Sequence, residues 1–307
     1  MRVAVAASPT VRRRRLGAEL RALRESRPGV RIDDVAAALG WSPAKVSRYE
    51  LARSTLKETE VGRMLDYYGV SGEHRLQLLA LAKDAAEKGW WEADPDAISA
   101  DHQQFIGLEA EASSIAVWHI GQVPGLLQTE AYARQIISDY DRVERIAPAM
   151  AERRVQVRMR RQEVLTRDPP LELSVVLDES VLRRRIGDNS VMYEQLQRLA
   201  REGERPNVTL RVLPLESEHP VLAESFVIFS FGHTDSNGPK HPTPPTTGIF
   251  LHDVVSVETL KSEFYVEGEN ETYLHRVALD ILRGEALGAT SSQDLVLETA
   301  NSLWRGP

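Results

Sequence analysis

The chain has 307 residues, enough for two domains of ordinary size, and its 42% hydrophobic and 27% charged residues are typical of a soluble protein. Its apolar runs are too short to span a bilayer and no signal-peptide pattern opens it, so we expect a cytoplasmic protein. Because the chain has no cysteine, disulfides, thiolate catalysis and Cys-ligated zinc are excluded.

Charge is unevenly distributed along the chain. The formal net charge is −7, which by itself disfavours binding to nucleic acid. Residues 1–57, however, hold 13 Lys or Arg against 5 Asp or Glu, whereas the remaining residues hold 25 against 40. This asymmetry predicts a basic module joined to an acidic body. Arginine outnumbers lysine 32 to 6, which indicates a GC-rich coding bias and an actinobacterial source.

Five helices are predicted in the basic module, which we place at residues 11–88. Each is bounded by a stop signal such as Pro28-Gly29 or Gly40, or by a capping residue. The predicted helices run from Val11 to this first stop, then over Ile32–Leu39, Ser42–Glu50, Glu58–Tyr68 and Ser71–Lys88. In the fifth helix we expect Leu76, Leu79 and Ala80 to face the core.

The third helix begins with an unusual charge. Ser42 is a strong capping residue, and Pro43 suits the first helical position because it has no N–H to leave unpaired. Three residues after the cap, where Glu or Gln would complete a capping box, the sequence has Lys45. A cation there opposes the helix dipole by a few tenths of a kcal/mol. A partner outside the helix, such as a phosphate, would explain it.

The second and third predicted helices form a helix-turn-helix. In this motif the second helix of the pair enters the major groove of DNA and its N-terminal residues face the base edges. A lysine there would meet a duplex with roughly one negative charge per 1.7 Å of its axis. The alternative is a plain helical hairpin with solvated Arg and Lys side chains.

A family resemblance is carried by two stretches, LRALRES and IDDVAAALGWSPAKVSRYELAR. They resemble the lambda-repressor-like (XRE) helix-turn-helix family. The positions that match the family spacing are Gly40, Ser42, Val46, Ser47, Arg48 and Glu50. Where the family often has a DNA-contacting Gln, this chain has Ile32, so that interaction is expected to be absent or replaced. Pro28-Gly29 resembles a one-residue insertion.

The resemblance implies roles for individual residues. Ser42 caps the third helix and touches a phosphate, and an ion pair of Arg24 with Glu50 ties the first helix to the third. Facing the groove are Pro43, Ala44, Lys45, Ser47 and Arg48. Arg48 is the best candidate for bidentate readout of guanine. We expect phosphate contacts from a further set of cations, whose alternative role is that of solvated surface charges. They are Arg53, Lys57 and the run Arg12–Arg15, which includes Arg13 and Arg14.

Residues 89–101 read as a linker, and residues 102–307 as an α+β domain with a mixed sheet. The predicted strands are Ile115–Ile120, Leu171–Leu177, Val208–Leu213, Ser225–Phe231, Ile249–Val257 and Ser262–Val266. The predicted helices are residues 103–114, 130–140, 143–167, 179–184, 190–201, 269–283 and 291–304. The whole protein is thus predicted to be multidomain, an all-α five-helix domain followed by an α+β domain.

A second resemblance covers residues 103–304. It is carried by FIGLEAEASSIAVWHIGQVPGLLQTEAYAR, VVLDESVLRRRIG and QLQRLAREGERPNVTLRVLPL. These stretches resemble the C-terminal domain of actinobacterial regulators of the Scr type, which is antitoxin-like and of unknown function. The resemblance implies a small partner protein encoded nearby. The loop at residues 232–247 and the segment at residues 253–267 are both longer than is usual in that family.

Motifs for catalysis or metal binding are not found in the sequence. The eight histidines lack metal spacing, and no nucleophile elbow, P-loop or dinucleotide fingerprint is present, so we expect no cofactor, no metal and no enzyme. Asp178-Glu179 is interpreted as a helix cap rather than a catalytic pair. We interpret the cluster Arg183–Arg185 as a solvated surface, with an acidic partner as the alternative. One polar helical face, or alternatively a partner surface, is predicted for Arg153, Arg154, Arg158 and Arg161.

These patterns predict a cytoplasmic, nucleoid-associated transcription regulator that binds operator DNA as a homodimer. Because one short recognition helix gives little affinity, two half-sites about 34 Å apart are expected. One alternative is a small-ligand receptor whose pocket is lined by Trp118, Phe226, Phe229 and Phe231. Another is an enzyme that the helix-turn-helix brings to DNA.

Overall fold

The computed structural model describes residues 9–52, 54, 56–86, 89–93, 98–145, 147–218, 221, 224–232, 253–260 and 263–306. These residues form two compact units, one of residues 9–93 and one of residues 98–306. The first is all-helical and the second combines helices with a six-stranded mixed sheet, so the predicted fold class is confirmed. In the described part, no helix is both long enough and apolar enough to cross a membrane.

Five helices form the first unit. They are α1 Pro9–Glu25, α2 Ile32–Leu39, α3 Pro43–Glu50, α4 Glu58–Tyr67 and α5 Gly72–Ala85. One core joins them, in which Leu16 and Leu20 of α1 meet Val35 of α2 and Val46 of α3. Positions three and four apart on each helix therefore supply the buried face that the sequence spacing predicted.

The inward face predicted for α5 was wrong for two of its three residues. Leu79 packs against the core, but Leu76 is 68% exposed and Ala80 is exposed. The buried residues of this helix are Leu78, Ala82 and Ala85. The helix is rich in apolar residues on more than one side, so spacing alone selects no unique face. Contact with α1 and α4 decides the orientation.

A close crossing of α1 and α3 depends on a glycine. A Cβ atom placed on Gly17 would lie 2.7 Å from the carbonyl oxygens of both Tyr49 and Glu50. These are backbone atoms, which cannot swing aside as the end of a flexible side chain can. Any larger residue at position 17 would push the last turn of α3 away from α1.

The sheet of the second unit has the strand order β3-β2-β1-β4-β5-β6. Its strands are β1 Ser114–His119, β2 Glu172–Asp178, β3 Val208–Leu213, β4 Phe226–Ser230, β5 Val254–Glu258 and β6 Glu263–Glu267. β1, β2 and β3 are mutually parallel, and β1 pairs antiparallel with β4, which continues antiparallel through β5 to β6. β5 was predicted to begin at residue 249, but residues 249–252 lie outside the described residues.

In the described part of this unit, seven α-helices surround the sheet. They are α6 Ala100–Glu111, α7 Glu130–Glu144, α8 Pro148–Arg161, α9 Ser180–Arg183, α10 Asn189–Glu202, α11 Glu269–Glu285 and α12 Ala289–Thr299. The single helix predicted over residues 143–167 was wrong. Arg145 has a positive φ of 54°, and Pro148 occupies the first turn of α8, where a missing N–H is harmless.

Glycine 17 gives a direct test of the α1–α3 crossing. We expect Gly17→Ala to destabilise the first unit by about 1–3 kcal/mol, because overpacking against a fixed backbone forces the helices apart. Hydrogen exchange of the α1 and α3 amides measures this unit separately from the rest of the chain. The matched control is Gly62→Ala in α4, where the added methyl meets only ordinary contacts from 3.7 Å outward. Equal protection in both variants would contradict the crossing.

Candidate nucleic-acid interface

The turn between α2 and α3 is set by Gly40. This residue adopts a left-handed conformation, with φ 68° and ψ 35°, which glycine reaches at little cost. Its N–H donates to the carbonyl of Ala37, and the N–H of Trp41 donates to that of Ala36 over 2.8 Å. Both bonds satisfy carbonyls left free at the end of α2, so the chain reverses tightly and enters α3 three residues later.

The N-terminus of α3 is capped as the sequence predicts. Ser42 has extended backbone angles, and its Oγ accepts a hydrogen bond from the N–H of Lys45 over 3.2 Å. Pro43 occupies the first helical position. The cap fixes the direction of the first turn, which is the turn that a helix-turn-helix presents to DNA.

One face of α3 is buried and the other is open. Val46, Tyr49 and Glu50 are buried, on the side that meets α1 and α2. On the other side the predicted DNA-contacting residues fall into two groups by exposure. Exposed are Ser42, Pro43, Ala44 and Arg48, and half-buried are Lys45 and Ser47.

The open face is held from beneath by an ion pair between α1 and α3. Arg24 Nε donates to Glu50 Oε1 over 2.8 Å, and Arg24 Nη2 donates to Glu50 Oε2 over 2.9 Å. The Arg24 side chain is 12% exposed and that of Glu50 is 3% exposed. The hydrogen bond that Arg24 donates to Glu50 is the main cause that raises the pKa of Arg24. The bidentate geometry fixes both the distance and the rotation of α3 against α1.

Lys45 has an anionic partner within the same unit. Its Nζ lies 2.7 Å from Glu60 Oε1, at the start of α4. Glu60 Oε2 also accepts hydrogen bonds from Tyr49 Oη over 2.8 Å and from the N–H of Lys57 over 3.2 Å. Burial alone would raise the pKa of Glu60, but the hydrogen bonds lower it, so the carboxylate is charged at neutral pH. Glu60 of α4 therefore supplies the negative charge that offsets Lys45.

An aromatic pair completes the surroundings of Lys45. Its Nζ lies 4.3 Å from the centroid of the Trp41 ring, which meets Tyr49 edge-on at 5.7 Å. On the same indole, the guanidinium carbon of Arg63 lies 5.2 Å from the centroid, and Arg63 Nη2 donates to the carbonyl of Leu39 over 2.5 Å. Cation–π contacts of this kind hold the cations at fixed positions beside the start of α3.

The peripheral cations fall in different environments. Lys57 is exposed at the start of α4, and Arg53 lies outside the described residues. Arg13 Nε donates to the carbonyl of Ala85 over 3.3 Å, at the C-terminus of α5, where a cation is favoured by the helix dipole. Arg14 is half-buried on α1. The phosphate contacts assigned to these residues stay predictions, and Arg13 has a structural role besides.

Three residues of this surface were not identified from the sequence. Glu60 could have been found, because Lys57 and Glu60 have the spacing of an N-cap and its third helical residue. Trp41 gave no signal, since an aromatic residue in a turn has no periodicity. Arg31 is exposed at the N-cap of α2, directly before Ile32, which packs against the core instead of facing solvent.

Comparison with known families agrees with this geometry. Residues 15–78 match a family described as a helix-turn-helix domain, and residues 102–298 match the family described as a domain of unknown function (DUF5753). The second match spans well over half of the chain. The chain belongs to the DUF5753 family. No curated protein and no solved structure matches it.

In the DUF5753 domain the structure revises two interpretations of side chains. Arg158 and Arg161 do not belong to a solvated face, since both line a cavity and Arg161 is buried. Four aromatic residues were predicted to line a pocket. Phe226 borders this cavity, but its ring packs in the core beside α11. Trp118 and Phe229 are fully buried, and Phe231 does not line the cavity. Across the described ranges, no three His, Asp or Glu side chains are grouped in a way that could hold a metal ion.

The Arg24–Glu50 pair can be tested by removing one charge. We expect Glu50→Gln to destabilise the helix-turn-helix unit by about 3 kcal/mol, because a buried guanidinium loses its counter-ion. The matched control is Glu25→Gln on α1, whose carboxylate receives Arg21 and Arg24 at an exposed site. We expect Glu25→Gln to lower the free energy of unfolding by less than about 1 kcal/mol. Hydrogen exchange of α1 and α3 measures both, and an equal effect of the two substitutions would argue against the anchoring role.

Proposed function

We propose that this protein is a sequence-specific transcription regulator that binds double-stranded operator DNA. The observation that carries the proposal is the α3 surface, whose first turn is capped, exposed and held against α1 by a buried ion pair. A helix fixed in this way can enter the major groove as one rigid element. The match of residues 15–78 to a helix-turn-helix domain supports the same function.

Arg48 is the residue that we assign to base readout. Its side chain is exposed on α3 and makes no hydrogen bond or ion pair to any part of the chain that the structure describes. A free guanidinium can therefore form two hydrogen bonds to the O6 and N7 atoms of guanine. Lys57, exposed at the start of α4, is assigned to a phosphate. Arg31 at the start of α2 is a cation that can bind DNA where the apolar side chain of Ile32 cannot.

Lys45 is assigned a shared role. Its ammonium is bound to Glu60, so a contact with a phosphate or a guanine would use the donors that Glu60 leaves free. The lysine would thus stabilise the fold in the free protein and add a DNA contact in the complex. Pro43, Ala44 and Ser47 shape the surface that meets the groove, and Ser42 adds a hydroxyl at the phosphate.

The division between base and phosphate contacts gives a paired prediction. On an operator obtained by selection from random duplexes, we expect Arg48→Ala to lose about 1–3 kcal/mol of discrimination between operator and random DNA. Lys57→Ala should weaken binding to both DNAs to the same degree and reduce the slope of log K against log salt by about 0.9. Titrations at several salt concentrations with the full chain measure both quantities.

Two outcomes would contradict these assignments. If both variants lost the same discrimination, Arg48 would have no special part in readout. If the wild-type chain bound no duplex at low salt, the proposal of DNA binding itself would fail, whichever variant was used.

We also propose that the protein is a homodimer whose two α3 helices read half-sites about 34 Å apart. Support comes from an apolar face on α11 that lies in solvent. Tyr273, Leu274, Val277 and Ile281 share this face, and each is exposed. Next to it in sequence, the sheet ends at β6, whose Phe264 is 59% exposed. Contiguous exposed apolar surface of this kind is typical of protein interfaces.

The dimer is testable with a substitution that leaves the core untouched. Leu274 is 68% exposed, so Leu274→Asp removes apolar surface and adds a charge without disturbing buried residues. We expect the wild-type chain to have twice its 34.4 kDa mass by light scattering, and the variant to be monomeric at the same concentration. Leu76→Asp on α5 is the matched control, because Leu76 is also 68% exposed. Monomeric wild-type protein would rule the dimer out.

The remaining assignments rest on the resemblance to Scr-type regulators. We propose that the C-terminal domain is antitoxin-like and binds a small partner protein encoded nearby, and that the protein acts by binding rather than by catalysis. A protein that binds an operator works in the cytoplasm at the nucleoid. Co-purification of the chain with the product of the adjacent small gene would test the partner.

A further inference from the structure

A cavity in the second unit is bordered by α6, α8, residues 122–128 and the strands β1, β2, β4, β5 and β6. Its volume is about 100 Å³, and it opens to solvent. An apolar cavity of about 150 Å³ holds one benzene molecule, so this one suits a compact ligand that extends partly into the opening. Apolar walls come from Ile115, Val117, Leu173 and Val227, and charged side chains that line the cavity include Arg158, Arg161 and Glu258.

One guanidinium in the cavity contacts protein groups through all three of its nitrogens and forms part of the wall. Arg161 donates to both carboxylate oxygens of Glu109 over 2.8 Å, and its Nη1 lies 3.3 Å from His102 Nε2. Its carbon Cζ lies 5.0 Å from the centroid of the Phe105 ring. The side chains of Arg161 and Glu109 are 6% and 3% exposed. This pair has little capacity left for a ligand, so it is a structural element of the site.

A second guanidinium, one turn earlier on α8, is largely unused. Among the described residues, the one hydrogen bond of Arg158 runs from Nη1 to Gln128 Oε1 over 3.1 Å. A guanidinium has five N–H donors, so most donors of Arg158 have no acceptor among the described residues. Burial lowers the pKa of Arg158 to about 10, and the group is therefore still a cation at neutral pH. The Arg158 guanidinium could therefore donate two parallel hydrogen bonds to a carboxylate.

Opposite charge lies on the last two strands. Glu258 ends β5 and is paired across the strands with Glu263, the first residue of β6. Glu263 is bonded to His102 Nδ1 and to the Tyr265 hydroxyl, whereas Glu258 has no hydrogen bond in the described part of the chain. Crowding by protein atoms, and then the neighbouring Glu263, raise the pKa of Glu258. Two like charges directly opposite each other are unfavourable, and a bound cation would relieve this repulsion.

Arg158 and Glu258 attract each other across the cavity but form no direct ion pair. A molecule between them would need an anionic end for the arginine, a cationic end for the glutamates and an apolar body for the remaining walls. We propose that the cavity binds a small zwitterion with an apolar body, of the chemical class of a free apolar α-amino acid. The site lies within the second unit, so this inference does not depend on DNA binding, and it gives the ligand-receptor alternative a location.

The test compares zwitterions with molecules that carry one of the two charges. Calorimetric titration of the full chain, without DNA, would use L-leucine, L-methionine and L-phenylalanine as probes. The matched single-charge probes are 4-methylpentanoate, which lacks the ammonium group of leucine, and isoamylamine, which lacks its carboxylate. We expect at least one amino acid to bind, and both single-charge probes to bind at least about tenfold more weakly, since each loses a charge-assisted hydrogen bond.

Two variants of the chain assign the binding to this cavity. Arg158→Gln and Glu258→Gln should each weaken binding of the amino acid by about tenfold or more. Glu258 is exposed at the mouth of the cavity, so its variant should fold even if the arginine variant does not. Arg160→Gln, an exposed position on the same helix, is the control and should bind as the wild type does.

Three results would overturn the proposal. The first is that none of the three amino acids binds. The second is that 4-methylpentanoate or isoamylamine binds as tightly as leucine, since the site would then recognise one charge only. The third is that Glu258→Gln binds unchanged. Because no DNA is present, none of these results bears on the proposed DNA binding.

Discussion

The candidate DNA-binding surface depends on how one short helix is anchored. α3 has eight residues, too few for a stable helix in water without tertiary contacts. Its position comes from the buried Arg24–Glu50 pair, and from the glycine at position 17 that lets α1 and α3 touch through their backbones. A bidentate ion pair fixes orientation as well as distance. The exposed residues of α3 therefore keep their arrangement whether or not DNA is present, and little ordering free energy has to be supplied on binding.

The positive charge at the start of α3 is offset by groups inside the protein, and it is also available to DNA. The lysine in the first turn opposes the helix dipole, but Glu60 of the next helix and the Trp41 ring offset this effect in the free protein. The same carboxylate also receives a tyrosine hydroxyl and a backbone N–H, so one acid ties together α3, the connection that follows it and α4. A cation at this position is thus compatible with a stable fold, and DNA is not needed to explain it.

The sequence predicted the features that depend on the backbone preferences of a few neighbouring residues. Gly40 as a helix stop, Ser42-Pro43 as a start, and alternating strands such as β2 follow from backbone preferences, and the helix-turn-helix was placed within a few residues. Long-range partners were harder. The pairing of Lys45 with Glu60 joins residues 15 apart. Because α5 has apolar residues on two sides, spacing placed Leu76 on the buried side, where it does not lie. On α8, periodicity put Arg158 and Arg161 on one face, but only the sheet beneath could show that this face meets a cavity.

The opposite charge balances of the two parts of the chain affect how the protein would meet DNA. Residues after 57 carry 40 acids against 25 bases, so the C-terminal part is repelled by a polyanion at long range. Non-specific affinity for DNA comes almost entirely from cations that contact phosphates. Of the two parts of this chain, only the first 57 residues hold more bases than acids, 13 against 5. The acidic part would weaken non-specific attachment, and it would discourage orientations in which the wrong surface approaches the duplex. In the proposed complex, discrimination would then depend on the few side chains at the start of α3, the helix that the buried ion pair holds in place.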